Sequence, residues 1–303
     1  HAADGRDLMS EEIWTIGRLI QTSTDYLRRQ GSESPRLDAQ LLLVEVTGLD
    51  KTGLYIQWER PATAPELTAY RALIKRRASG EPVAYILGRK EFYSRTFKVG
   101  PGVLVPRPET EILVDKVLAW VKTHEVPTPR IVDVGVGSGA IAVTLAAELP
   151  TAVVLGVDIS AEALEIAKQN ADTLGVRDRV KLARGDLLSP VKSEHSVDIV
   201  VSNPPYLDDA LMASLPRDVR DFEPRGALTG GPDGLDVVRR LITDSVRVLR
   251  PGGLLAMEIA GGEQGATVAA LLAQNGRFSE VTLHPDLSRP GRVVTAQILP
   301  TTE

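Results

Sequence analysis

Asn203-Pro204-Pro205-Tyr206 carries more chemistry than any other short stretch of this chain. Two consecutive prolines fix φ at both positions and remove both backbone donors, while their carbonyls remain as acceptors. An amide side chain, a bare carbonyl and an aromatic ring are thereby presented together on a stiff loop. That set suits a planar –NH2 group: Asn203 Oδ1 and the Pro204 carbonyl accept its two hydrogens, and the Tyr206 ring packs on its flat face. Methyl transfer from a sulfonium to such a nitrogen needs in-line approach more than a strong base, because the nitrogen lone pair is delocalised. Two acceptors pulling on the hydrogens return density to nitrogen and orient it. Positioning of this kind can supply about 7–11 kcal/mol in favourable intramolecular cases. In isolation the same tetrapeptide also fits a proline-stiffened turn with a surface tyrosine.

A second candidate is Asp133-Val134-Gly135-Val136-Gly137-Ser138-Gly139, placed directly after an apolar run and before a helix-forming one. Gly135, Gly137 and Gly139 permit a tight turn there, and let backbone N–H groups of the loop approach a ligand at the positive helix end. Asp158 closes the next apolar run, where its carboxylate can accept from both hydroxyls of a ribose. Asp186 follows the third run and either meets an adenine amino group or caps a helix. Gly135-x-Gly137-x-x-Ala140 also satisfies the dinucleotide fingerprint. The loop therefore indicates a nucleoside site and leaves NAD and S-adenosylmethionine both open. A plain packing turn is the remaining alternative.

These loops act together only if a scaffold brings them to one edge. After Arg130, strands at 131–134, 153–157, 180–183 and 199–202 alternate with helices starting at 140 and 161. A helix at 237–249, a strand at 254–259, another helix and strands at 280–284 and 293–299 complete the chain. The pattern predicts an α/β fold with a doubly wound, mostly parallel sheet. The last connection is too short for a crossover helix, so the final strand should run antiparallel to its predecessor.

Upstream, three helices form a small accessory bundle. Ser10 with Glu11 and Glu12 starts the first, whose apolar positions Ile13, Ile16, Leu19, Ile20 and Leu27 end at Gly31. Ser34-Pro35 opens the second, which runs to Gly48. Thr63 with Glu66 forms a capping box for the third, which ends by Gly80. Residues 83–87 and 92–99 read as two strands around a Gly88 turn. Pro106 and Pro108 lead into a helix at 112–121, and Pro127-Thr128-Pro129 is a stiff break. The expected division is residues 1–81, 82–129 and 130–303.

Composition sets the outer limits. The 303 residues are 43% hydrophobic and 25% charged, ordinary for a soluble globular protein. No apolar run approaches the roughly 20 residues of a membrane-spanning helix. Cysteine is absent, which excludes disulfides and thiol chemistry, and four scattered histidines leave little for a metal site, so none is expected. The start at His1 shows no signal peptide and reads as a tag remnant or trimmed end. A cytoplasmic protein is expected. Net charge is −5, with +1 on residues 1–90 and −6 on the remainder, a poor balance for gripping phosphates.

With these residues in place the chain resembles the HemK/PrmC family of protein-glutamine N5-methyltransferases, which modify peptide chain release factors. The resemblance rests on Glu81-Pro82-Val83-Ala84-Tyr85-Ile86-Leu87-Gly88 with Glu91-Phe92, on Val105-Pro106-Arg107-Pro108-Glu109-Thr110-Glu111, and on the run from Asp198 to Tyr206. Glu223-Pro224-Arg225-Gly226-Ala227-Leu228 and Gly230-Gly231-Pro232-Asp233-Gly234 extend it. It implies a Rossmann-like class I methyltransferase fold, with a seven-stranded sheet whose last strand is antiparallel, a small N-terminal helical domain and a β-hairpin linker. It further implies S-adenosylmethionine as cofactor, held by Gly135, Gly137, Gly139, Asp158 and Asn203, with Val136, Ser138, Asp186 and Leu187 alongside. Asn203, Pro204, Pro205 and Tyr206 would hold the glutamine of a Gly-Gly-Gln loop, and the helical domain would dock the release factor to a monomeric enzyme. Val136 stands where many relatives carry threonine, and Leu187 where some place an aromatic ring beside adenine. Arg107, Glu109 and Glu111 either approach the cofactor or simply start a helix, and Lys75-Arg76-Arg77 either meets an acidic partner or is a solvated helix end. The rival readings are a DNA adenine-N6 methyltransferase, which would flip its base and need a cationic track, a noncatalytic nucleoside-binding adaptor, and a dehydrogenase.

Overall fold

Short polar residues and prolines start the helices of the N-terminal part much as the sequence requires. In the computed structural model, which describes residues 13–285 and 291–300, the chain divides into two compact units, with the boundary in sequence between Leu87 and Gly88. Helix α1 (Ile16–Arg29) is capped by Thr15, whose side chain accepts from Arg18 N. The expected start at Ser10 lies outside the described residues. Helix α2 (Pro35–Thr47) has proline in its first turn, and Ser34 makes no side-chain cap bond. Asp50 caps a short α3 (Lys51–Ile56) that the sequence reading did not include, and Thr63 and Glu66 form the expected capping box of α4 (Ala64–Ala78).

Ile16, Leu27, Leu42, Leu43 and Leu54 form the core of this unit with Tyr70, whose hydroxyl donates to Ala39 O at 3.0 Å. Two of the three basic residues ending α4 are engaged internally. Arg76 pairs with Glu81 at 2.6 Å, and Arg77 is buried against Asp38 at 2.7 Å.

Residues 83–87 are helical, not extended: α5 (Val83–Leu87) replaces the expected strand. A five-residue apolar run has no period that separates the two states. Pro82 ahead of it accepts from Tyr85 N and Ile86 N, and Gly88 behind it takes φ 69°. The hairpin is therefore shifted along the chain, to β1 (Arg89–Phe92) and β2 (Arg95–Lys98), with Tyr93 and Ser94 both at positive φ in the turn. Glu111 Oε1 accepts from Tyr93 N at 2.7 Å and Asp115 from Tyr93 OH at 2.8 Å, which holds this left-handed turn without glycine.

Beyond the hairpin lie α6 (Thr110–Thr123), β3 (Arg130–Val134), α7 (Ala140–Glu148), β4 (Val153–Asp158), α8 (Ala161–Thr173), β5 (Val180–Arg184) and β6 (Val197–Ser202). Two short helices, α9 (Asp209–Ser214) and α10 (Arg217–Phe222), precede α11 (Asp236–Val248), β7 (Leu249–Glu258), α12 (Gly262–Asn275), β8 (Phe278–His284) and β9 (Val293–Ile298). The seven strands are ordered β5-β4-β3-β6-β7-β9-β8. All neighbours are parallel except β9, which runs antiparallel to both β7 and β8. Leu113, Val117, Ile141 and Leu145 pack on one face of the sheet, and Val238, Leu241, Val268 and Leu272 on the other. β3 and β6 are neighbours with Val134 paired to Ser202, so the glycine loop and the Asn-Pro-Pro loop leave the sheet side by side.

Candidate active site

The glycine loop turns directly out of β3. Gly139 caps α7 at φ 83°, and a Cβ there would stand 3.3 Å from Ala167, so both conformation and packing favour glycine. Four of the loop's N–H groups are engaged within the protein and are not turned to a ligand as the sequence suggests. Gly135 N and Val136 N donate to Val157 O at 2.8 and 3.0 Å, Gly137 N to Asp158 Oδ2 at 3.0 Å, and Gly139 N to Val136 O at 2.8 Å. The Val157 carbonyl and the Asp158 side chain of β4 take three of these donors, and the loop's own Val136 carbonyl takes the fourth. What the loop offers is a bare backbone wall and the carboxylate it orients. Asp158 Oδ1 accepts from Ser160 N at 2.9 Å, and each oxygen keeps acceptor capacity for a hydroxyl.

Asn170, buried on α8, is a further residue of the site that the sequence analysis does not single out. Its Nδ2 donates to Ser138 O at 2.8 Å and to Lys98 O at 3.0 Å, while its Oδ1 accepts from Lys98 N at 2.7 Å. One side chain thus ties the glycine loop to the hairpin. A polar residue on the inner face of an otherwise apolar helix side was the available signal.

A cavity of about 400 Å³ runs along the carboxyl ends of the central strands, a size usual for small-molecule sites. Gly135, Val136, Gly137, Ser138 and Asp158 form one part of its wall. Asp186 and Leu187 form another, and Asn203, Pro204 and Pro205 a third. Gly139 lies behind the wall, buried at the helix start. Asp186 is already paired, accepting from Arg240 Nη2 at 2.6 Å, and Arg240 itself joins the lining. Leu187 sits at φ 49°, a conformation that costs a branched residue on the order of 1 kcal/mol and recurs at ligand sites. Ribose acceptors at Asp158, an acid at Asp186 and apolar surface from Val136, Ile159 and Leu187 fit the nucleoside of S-adenosylmethionine.

At the other end, Ser202 Oγ donates to Val134 O at 2.7 Å and locks β6 to β3. Asn203 Nδ2 donates to Thr110 Oγ1 at 3.3 Å, and Thr110 Oγ1 donates to Glu258 Oε2 at 2.6 Å. Tyr206 is not in the cavity wall. Its hydroxyl donates to Glu258 Oε1 at 3.0 Å and accepts from Arg292 Nη2 at 2.7 Å, and the Arg292 guanidinium lies over its ring at 5.2 Å. Burial pushes the Tyr206 phenol up. It also pushes the fully buried Glu258 carboxyl up, against the pull of Arg292, whose Nη2 stands 3.2 Å from Oε1. The segment from Gly230 to Gly234 runs close behind the loop. A Cβ on Gly234, at φ 74°, would stand 2.4 Å from the Tyr206 carbonyl oxygen, and one on Gly230 would stand 2.8 Å from that of Pro205.

The three residues with undecided roles separate cleanly. Arg107 lines the cavity and pairs with buried Glu223 at 2.5 Å, whose second oxygen accepts from Val105 N at 3.0 Å. Glu111 holds the hairpin turn, and Glu109 stands at the α6 N-cap position without a side-chain cap bond. Thr110, Glu258 and Arg292 were not singled out from sequence, because they meet the loop from positions 93, 52 and 86 residues away.

Sheet order, the antiparallel β9 and a nucleoside cavity beside an Asn-Pro-Pro loop define an S-adenosylmethionine-dependent methyltransferase with a Rossmann-like fold. Residues 18–88 match the family model described as PrmC N-terminal domain, and residues 110–215 the one described as Methyltransferase small domain. The chain is 43% identical over 286 residues to Release factor glutamine methyltransferase of Rhodopirellula baltica, covering 94% of this chain and 96% of that protein. It is 39% identical over 287 residues to the Bacillus subtilis protein of the same name, covering 94% and 98%. A methyltransferase from Pyrococcus furiosus shares the fold, with a TM-score of 0.51 at 17% identity over 76% of this chain and 98% of that one. The chain belongs to the release factor glutamine methyltransferase family.

Proposed function

We propose that this enzyme methylates the side-chain amide nitrogen, N5, of the glutamine in the Gly-Gly-Gln loop of peptide chain release factors, and so supports translation termination. The observation that carries the reading is the shared wall: the Asn203-Pro204-Pro205 ledge lines the same cavity as Asp158. Bound S-adenosylmethionine supplies an electrophilic methyl carbon on a sulfonium leaving group. Gly135, Val136, Gly137, Ser138, Asp158, Asp186 and Leu187 hold its nucleoside, with Gly139 fixing the helix start behind them. Asn203 Oδ1 and the Pro204 carbonyl accept the two hydrogens of the glutamine amide and turn its nitrogen towards the methyl group. Pro205 stiffens this ledge, and Tyr206 anchors it through its hydroxyl. No general base is required, because the nitrogen loses its proton to water once methylation has made it acidic.

The helical unit, taken as residues 1–81, docks the release factor, and the second unit performs the transfer, with 82–129 as the hairpin and linker segment before the 130–303 methyltransferase core. No described helix is long and apolar enough to cross a membrane. A cytoplasmic site of action accords with a substrate that works on the ribosome.

The test is incubation with methyl-labelled S-adenosylmethionine and a release factor, its Gln→Ala variant in the Gly-Gly-Gln loop, or duplex DNA. Label on the release factor alone is expected. Label on DNA, or equal label on the Gln→Ala variant, would overturn the assignment.

A further inference from the structure

Asn203 can offer its oxygen to a substrate amide only if its own amide is held in one of two nearly isosteric orientations. A side-chain amide turned by 180° presents –NH2 in place of the carbonyl oxygen, and would repel the N–H groups it is meant to receive. The selection is made outside the loop. Glu258 is fully buried and receives three donors: Thr110 Oγ1 at 2.6 Å, Tyr206 OH at 3.0 Å and Arg292 Nη2 at 3.2 Å. An ionised carboxylate accepts and cannot donate, and a threonine hydroxyl has a single proton. That proton lies on the bond to Glu258, so Thr110 Oγ1 has only lone pairs left for Asn203. Only the –NH2 branch of Asn203 satisfies them, at 3.3 Å, which leaves Oδ1 on the other branch as the free acceptor.

We propose that Glu258, acting through Thr110, is a positioning residue that sets the orientation of the Asn203 amide and thereby makes Oδ1 the group offered to the substrate. Arg292, with Nη2 3.2 Å from Oε1, favours the anionic form of Glu258 against the burial that raises its pKa, and the anion gives the chain of hydrogen bonds its direction. A neutral Glu258 could donate to Thr110, which could then donate to Asn203, and the reversed chain would favour the wrong branch. The second arm, through the Tyr206 hydroxyl, fixes the far end of the same loop to the same carboxylate. The proposal rests on the glutamine-methylation reading, since it assigns Oδ1 the task of receiving an N–H donor.

Thr110→Val removes the hydroxyl at nearly constant shape, and Thr110→Ser retains it. The expected result is a kcat at least tenfold lower for Thr110→Val, with the KM for release factor and the Kd for S-adenosylmethionine within threefold of the parent, and a Thr110→Ser kcat within threefold of the parent. A purely structural hydroxyl would lower the melting temperature and leave kcat unchanged. The cofactor-free protein gives an independent readout: the Asn203 side-chain NH2 signals in a nitrogen–proton NMR spectrum, identified by their loss in Asn203→Asp. They should be protected from solvent exchange in the parent and in Thr110→Ser, and exchange faster in Thr110→Val. A Thr110→Val kcat within twofold of the parent, or unaltered NH2 signals, would overturn the proposal. A parent enzyme that leaves the release-factor glutamine unlabelled, with the NMR difference intact, would overturn the substrate reading and leave the Asn203 orientation standing.

Discussion

Two carboxyl groups are fully buried behind the two ends of the site, and their surroundings differ sharply. Asp133, on β3 behind the glycine loop, accepts one bond from Ala142 N at 3.0 Å, while its Oδ1 has no hydrogen-bond partner among the described residues. Burial, reinforced by Asp158, pushes it up to about 7. Glu258, at the end of β7 behind the Asn-Pro-Pro loop, has a guanidinium and two hydroxyls on it. A buried acid without a counter-ion answers its burial by taking up a proton; one with a counter-ion and donors can remain charged and impose directions on its neighbours. The glycine-loop end is accordingly shaped by hydrogen bonds of its own backbone, and the Asn-Pro-Pro end by a buried carboxyl paired with a guanidinium.

The largest effect is expected where the buried Glu258 loses its counter-ion. Arg292→Leu leaves Glu258 buried without its cation and should cost about 3–5 kcal/mol of stability. A loss below about 1 kcal/mol in denaturant unfolding would erase the contrast between the two acids. Next comes Gly234→Ala, which forces a Cβ to 2.4 Å from the Tyr206 carbonyl at positive φ. It should cost about 2 kcal/mol and lower kcat more than it raises the cofactor Kd. If the Kd changes instead, this segment serves the cofactor end.

Asp133→Asn sharpens the other half. The native carboxyl titrates near 7 and the unfolded one near 4, so the folded state holds more protons between those values. Parental stability therefore falls as pH rises through that window and levels off above it, whereas the Asn variant lacks this slope. The stability difference should move in favour of Asn between pH 4 and pH 7, by up to roughly 4 kcal/mol. Parallel melting curves across that range would show that Asp133 is not held as a neutral acid. The smallest effect belongs to the exposed pair at the cofactor end. Asp186→Ala removes the contact with Arg240, both side chains being more than half exposed, and should change stability by less than about 1 kcal/mol.

The two ends were also unequally legible. The glycine loop, Asp158 and Asn203-Pro204-Pro205 could be read because each is a local signal directly following a strand, and a parallel sheet brings consecutive strand ends to one edge. Four N–H groups of the glycine loop are spent inside the protein, three of them on β4, and the sequence does not reveal this. Thr110, Glu258 and Arg292 stand alone within helix start, strand and loop, and only the juxtaposition of β6, β7 and α6 brings them together. Glu258 closing an apolar strand was a visible anomaly without a visible partner. Val83 to Leu87 failed for a different reason: five apolar residues satisfy either state, and Pro82 and Gly88 at the two ends were better guides than the run itself.

The central claim is that Asn203 acts on the substrate amide and not on the cofactor's affinity. Its most direct test is the single-turnover rate of methyl transfer by Asn203→Ala at saturating release factor and S-adenosylmethionine, measured with the cofactor Kd of the same preparation. A rate at least 100-fold lower, about 2.7 kcal/mol in the barrier, with Kd within threefold of the parent, is the predicted result. A rate within fivefold of the parent, or a loss matched by weaker cofactor binding, would contradict it.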